Sequence, residues 1–172
     1  ATNLSAVTLS TGVPKAKYMI THKNRVYLAN INDPSDVNAP QKVMVSEIST
    51  TGAPAPHRFT DFFYVGGTNQ VGEIKNLAVL NDQIIIYTRK SVWKFNPGGG
   101  NILDTSTLVE LQEAHGMLAP YSLVNTGEVH IFLSERGLSA FDGISFTHLS
   151  EKVDEDILKN SNISLLNFAK AI

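Results

Sequence analysis

Five histidines, His22, His57, His115, His130 and His148, are the side chains best suited to move protons or hold a metal near neutral pH. Their spacing supports neither task. No two form an H-x-x-x-H or H-x-E pair, the spacings that set metal ligands or a base on one helix face. His22 and His57 fall near turns. His130 alternates with Val129 and Ile131, which predicts a side chain facing solvent or a sheet edge. All five read as surface or locally hydrogen-bonded residues. The chain has no cysteine, so disulfides, thiolate zinc sites and a cysteine nucleophile are excluded.

Paired carboxylates would suit glycoside hydrolysis. The candidates at turns are Glu47, Asp61, Glu73, Glu135 and Asp142. Asp142-Gly143 lacks the spacing of a sialidase Asp-box and reads as a plain hairpin turn. The arginines are Arg25, Arg58, Arg89 and Arg136. Arg89 and Arg136 fall at matching turn positions, a repeat effect rather than an acid-sugar clamp. Neither G-x-S-x-G nor a phosphate loop is present. Gly66-Gly67 and Gly98-Gly99-Gly100 read as turns. Trp93 with Phe95, and Phe62 with Tyr64, stand two apart in strands, which predicts core packing rather than a sugar platform; Phe63 lies between the second pair. Asn3-Leu4-Ser5 and Asn162-Ile163-Ser164 match the glycosylation pattern and carry no weight alone. No catalytic, cofactor-binding or metal residue is assigned, and no cofactor is expected.

The elements that would position these residues are strands. Of 172 residues, 42% are hydrophobic and 17% charged, enough to bury a core. The net charge of −2 gives no field for nucleic acid, and no apolar run is long enough for a membrane span. One pattern occurs three times: two β-branched or aromatic runs joined by Asn, Asp or Gly, the form of a β-hairpin. The copies are Tyr18-Met19-Ile20 with Arg25-Val26-Tyr27-Leu28-Ala29, then Ile74-Lys75-Asn76-Leu77-Ala78-Val79-Leu80 with Gln83-Ile84-Ile85-Ile86-Tyr87. The third is Tyr121-Ser122-Leu123-Val124 with Glu128-Val129-His130-Ile131-Phe132-Leu133. A third strand follows each: Val43-Met44-Val45-Ser46-Glu47-Ile48, Val92-Trp93-Lys94-Phe95 and Leu138-Ser139-Ala140-Phe141. A fourth is expected over residues 59–65, 108–111 and 144–149. With Val26, Ile84 and Val129 as equivalents, the offsets are 58 and 45 residues. Four strands in that length is a propeller blade.

The expected fold is therefore all-β and propeller-like, with about three four-stranded blades of a larger or multi-chain propeller; an open β-sandwich is the alternative. Residues 1–16 read as an extended N-terminal segment. The blades span 17–65, 66–117 and 118–160. Residues 30–41, with two prolines, form a looped insert. A short helix is expected near 150–160, capped by Ser150, with Val153 and Ile157 on its buried face. Residues 161–172 read as a further strand, cut short.

The order of several segments resembles the propeller-like structural proteins of short-tailed bacteriophages: tail hub, nozzle and head-completion (stabilisation) proteins. The segments are His22-Lys23-Asn24-Arg25-Val26-Tyr27-Leu28-Ala29, Val45-Ser46-Glu47-Ile48, Arg89-Lys90-Ser91-Val92-Trp93-Lys94-Phe95 and Gly116-Met117-Leu118-Ala119-Pro120-Tyr121-Ser122-Leu123-Val124. Leu133-Ser134-Glu135-Arg136-Gly137-Leu138, Phe141-Asp142-Gly143 and Leu149-Ser150-Glu151-Lys152-Val153-Asp154 complete the set. The resemblance implies a non-enzymatic virion component at the tail or neck, made in the host cytoplasm. It implies a homo-oligomeric ring touching portal, tail or neck proteins, and it transfers no catalytic residue. A carbohydrate- or receptor-binding module such as a tail adhesin is the alternative; a propeller glycosidase is third.

Overall fold

The computed structural model describes residues 14–48, 54–55, 58–66, 71–100, 102–111, 115–152 and 159. Among the described residues, three four-stranded antiparallel sheets follow one another along the chain, with strands paired in chain order except that the last strand of the first sheet pairs across an intervening ribbon. The first holds β1 (Ala16–His22), β2 (Arg25–Ile31), β3 (Lys42–Val45) and β6 (Asp61–Tyr64). A two-stranded ribbon, β4 (Glu47–Ile48) with β5 (Pro54–Ala55), interrupts it. The second holds β7 (Ile74–Leu80), β8 (Gln83–Thr88), β9 (Val92–Asn96) and β10 (Thr107–Leu111). The third holds β11 (Val124–Asn125), β12 (His130–Ser134), β13 (Gly137–Phe141) and β14 (Phe146–His148).

Local chemistry sets the hairpins. Lys23 and Asn24 have φ of 46° and 59°, and Asn81 and Asp82 have 50° and 62°. Both central residues at positive φ make the tight turn whose twist matches antiparallel strands, and Asn and Asp tolerate it best. The expected strand over 43–48 breaks at Ser46. There the Ser46 hydroxyl accepts the Val26 N–H at 2.8 Å while the Ser46 N–H donates to the Val26 carbonyl at 2.9 Å, so a side chain replaces a ladder carbonyl. The insert expected over 30–41 begins later, because Asn30 and Ile31 still belong to β2; residues 32–38 form the loop, which ends in a 3-10 turn, Ala39–Gln41. A one-turn helix, Ile102–Thr105, follows the glycine loop and was not expected from the sequence. The expected strand over 121–124 shortens to Val124–Asn125. Ser122 instead turns back, its hydroxyl donating to the Ala119 carbonyl and accepting the Leu133 N–H.

The sheets stack face to face. Tyr27, Ala29, Val43 and Val45 of the first pack on Ile74, Leu77, Ile84, Ile86 and Phe95 of the second. The reverse side of the second, Leu80, Ile85, Tyr87 and Val92, packs on Met117, Phe132 and Phe141. An antiparallel sheet apolar on both faces cannot be stable alone, and its neighbours supply the cover. Successive four-stranded meanders stacked in this way make a β-propeller-like all-β fold.

The ladders correct the repeat alignment in its third copy. Ile84 pairs with Phe95, and His130, not Val129, pairs with Phe141. A one-residue slip sends every side chain to the opposite face. His130 is consequently buried between the second and third sheets rather than turned to solvent. A second correction concerns β6. Phe63 stacks on Phe95 at 4.5 Å, while Phe62 and Tyr64 point outward, 44% and 37% exposed. The spacing-two argument identified a shared face but chose the wrong one.

Most of the N-terminal segment (1–13), His57, Gly67, the helix positions 153–158 and the final strand lie outside the described residues. Ser150 does not rest on that helix alone: its hydroxyl accepts the Leu138 N–H at 2.7 Å, tying the segment to β13.

Candidate functional site

Two turns of the same construction meet across the second and third sheets. In the β8–β9 turn, the Thr88 hydroxyl donates to the Ser91 carbonyl at 2.8 Å and accepts the Ser91 N–H at 2.9 Å. In the β12–β13 turn, the Ser134 hydroxyl donates to the Gly137 carbonyl at 2.9 Å and accepts the Arg136 N–H at 3.1 Å. These hydroxyls set Arg89 level with Glu135 and Lys90 level with Arg136, so Arg89 and Arg136, expected at matching positions, stand one residue apart in the two turns. Arg89 Nη1 lies 2.6 Å from Glu135 Oε1, an ion pair between sheets whose angle departs from that of a hydrogen bond.

The chain crosses between the sheets at Gly116. A Cβ there would stand 2.2 Å from the Arg89 carbonyl carbon and oxygen, so only glycine lets the backbones meet. The Met117 N–H donates to the Thr88 carbonyl at 2.9 Å, which fixes the crossing. His115, one residue earlier, is thereby set at the rim of a cleft of about 560 Å³. Arg136, Ser139, Phe146, Thr147, His148 and Glu151 complete its lining. Burial lowers the His115 pKa and the nearby Arg136 charge lowers it further; Glu135 opposes them and His148 adds to the lowering. Among the described residues, no carboxylate forms an ion pair with Arg136.

The other singled-out residues have structural partners. His130 bridges the sheets: its Nδ1 lies 2.8 Å from the Tyr87 hydroxyl and its Nε2 3.2 Å from the Val79 carbonyl. A carbonyl only accepts, so Nε2 carries the proton and Nδ1 accepts from Tyr87. His22 Nε2 lies 3.1 Å from the Asp82 carbonyl. Arg25 donates to the Ser46 carbonyl at 2.8 Å and, across to the second sheet's loop, to the Gly100 carbonyl at 2.9 Å. Arg58 stands 3.6 Å from Glu47. Asp142 accepts the N–H groups of Ile144 and Ser145 at 2.8 and 2.7 Å, the plain turn expected, and this lowers its pKa. Glu73 accepts from Lys75 at 2.7 Å, Lys17 at 3.0 Å and Asn30 at 3.1 Å. Burial alone would raise its carboxyl, but these donors bring it down to about 2. Among the described residues, no three His, Asp or Glu gather to hold a metal.

Four asparagines that sequence reasoning passed over join the sheets. Asn30 donates to the Ile74 carbonyl, Asn76 to Pro120, Asn81 to Asp142 and Asn125 to Val79. Their sequence signal was weak, since each also sits in or beside a hairpin where turn preference explains it.

The outward-facing aromatics form a second feature. Phe62 and Tyr64 meet edge to face at 5.7 Å, with the Lys42 ammonium 4.3 Å from the Phe62 ring centre. Asp36 accepts from the Tyr64 hydroxyl at 2.7 Å and from Lys42 at 3.2 Å.

No protein-family model and no curated protein matches the chain. Among solved structures, the crystal structure of the N-terminal domain of Nup159 is similar to it, with a TM-score of 0.45 and 15% identity. That likeness covers 82% of this chain and 36% of the other, so this chain spans about a third of that structure's length.

Proposed function

We propose that this chain is a non-enzymatic structural component of a tailed-phage virion, an assembly protein of the tail or neck between portal and tail. The observation that carries the reading is the pair of outward sheet faces. The chain itself covers part of the first sheet's outer face, where Val26, Leu28 and Ile31 pack with Ala39, Met44 and Phe59. It leaves Met19, Phe62 and Tyr64 exposed, and the third sheet exposes Val124 and Leu138 beside Ile131 and Ala140. Inside the stack, equivalent faces are covered by a neighbouring blade. An assembly role supplies that cover from other blades or other virion proteins. The engagement of Glu47, Glu73, Glu135 and Asp142 in structural pairs or turns supports a role without catalysis. The order of phage-like segments in the sequence supplies the virion context.

Particle electron microscopy with the chain mixed with portal or tail proteins tests the proposal. Rings or a decorated portal–tail axis are expected, and unbound single particles in every mixture would refute it. A carbohydrate- or receptor-binding role is the second reading, favoured by the exposed Phe62–Tyr64 pair. It predicts glycan-array binding that Phe62→Ala abolishes, and an array without hits removes it.

A further inference from the structure

We propose that the cleft on the third sheet beside the crossing segment at His115 binds a small organic anion, a carboxylate or phosphate group carried on a planar ring. Arg136 supplies a planar, permanently charged fork suited to either head group. No ion pair with a described carboxylate occupies it, because its neighbour Glu135 is taken by Arg89 at 2.6 Å. His115 and His148 line the same cleft, and His115 adds charge when protonated. Ser139 and Thr147 line it too, and Phe146, stacked on Phe141 at 4.3 Å, offers an apolar wall for a ring.

The backbone around the cleft is fixed before any ligand arrives. The Gly116 contact and the Met117–Thr88 hydrogen bond hold the His115 side. The Ser134 hydroxyl holds the Arg136 turn. The Leu149 N–H to Leu138 carbonyl bond, at 2.8 Å, and the Ser150 hydroxyl hold the strand bearing His148. A fixed site binds without first ordering its own groups.

Charge sets the pH dependence. The groups facing His115 are Arg136, His148 and Glu135. Arg89 neutralises Glu135, and Glu151 is the lining carboxylate that opposes an anion. His115 titrates below the ordinary histidine range because burial and Arg136 disfavour its charge. A bound anion would favour that charge, so binding takes up protons and is tighter in mild acid.

The test is an NMR titration of the full chain, following the ring C–H resonances of His115 and His148. The probes are phenyl phosphate, benzoate and phenol. Saturable shifts of both histidines are expected with phenyl phosphate, benzoate or both, and none with phenol; the tighter of the two anions names the head group. Benzoate keeps a constant charge between pH 6 and 8, so it reads the protein alone. Anion affinity should fall about tenfold over that range, and the His115 pKa should rise when the anion is bound. Arg136→Gln should weaken binding at least tenfold, and Glu151→Gln should tighten it, both with unchanged thermal melts. Either of two results overturns the proposal: no saturable shift with either anion at pH 6, or shifts that phenol reproduces and Arg136→Gln leaves unchanged.

Discussion

At the scale of single residues, two buried tyrosines make a controlled comparison. Tyr87 and Tyr27 are both buried at sheet interfaces. The Tyr87 hydroxyl donates to His130, whereas the Tyr27 hydroxyl, its pKa pushed up to about 12 by burial, has no protein partner among the described residues. Removing one half of a buried hydrogen bond leaves the other unsatisfied and costs about 1–3 kcal/mol. Tyr87→Phe should therefore lower the denaturation free energy by that amount, while Tyr27→Phe should stay within about 1 kcal/mol of the parent. Urea titration of both variants checks the contrast. His130 adds a pH term. Burial lowers its pKa below the value of about 6.5 expected of the unfolded chain. Between those two values the unfolded chain binds the extra proton. The stability His130 confers is thus complete above about pH 6.5 and falls as pH drops toward its folded pKa. Urea midpoints from pH 8 to 5 should show that decline, and His130→Phe should reduce its slope.

At the scale of elements, the faces of β6 decide how the first sheet is built. Phe63 lies against Phe95, and truncating an aromatic in such contact costs about 3 kcal/mol. Phe63→Ala should show that loss in thermal or chemical unfolding, while Phe62→Ala, on the outward face, should change stability by less than about 1 kcal/mol. Glu73 clasps β1, β2 and β7 together through Lys17, Asn30 and Lys75. Its carboxyl is held at about 2, below the unfolded value of about 4.5. The stability it adds is present above about pH 4.5 and lost as pH falls toward 2. Glu73→Gln should flatten the acid limb over that window, measured by fluorescence of Trp93 in β9 of the second sheet.

Much of this level was legible in the sequence. Lys23-Asn24 and Asn81-Asp82 announced their hairpins because few residues accept two successive positive φ angles. The choice of face was not legible. Both faces of these sheets are apolar, so the alternation that normally separates core from solvent is weak, and a slip from His130 to Val129 costs nothing in pattern. The cleft was also invisible. His115, Arg136 and His148 come from a crossing segment, a turn and a last strand, and only the pairing of β13 with β14 and the crossing at Gly116 bring them to one cleft.

At the scale of the whole molecule, the described residues form three stacked sheets with two internal interfaces, and each end sheet turns some apolar side chains outward, the first beside its own small core of Val26, Leu28, Ile31 and Ala39. Propellers close with about four to eight blades; the described residues form three four-stranded sheets, and the proposed assembly would supply further blades. Head-to-tail contacts of this kind close into rings when the rotation per step allows it. The assembly proposal rests on the exposed apolar side chains of the two end sheets. Light scattering on the size-separated full chain, alone and with portal or tail proteins, tests it most directly. We predict a mass of at least two chains, or a defined complex with one of those partners. A stable monomer that joins none of them would contradict the account.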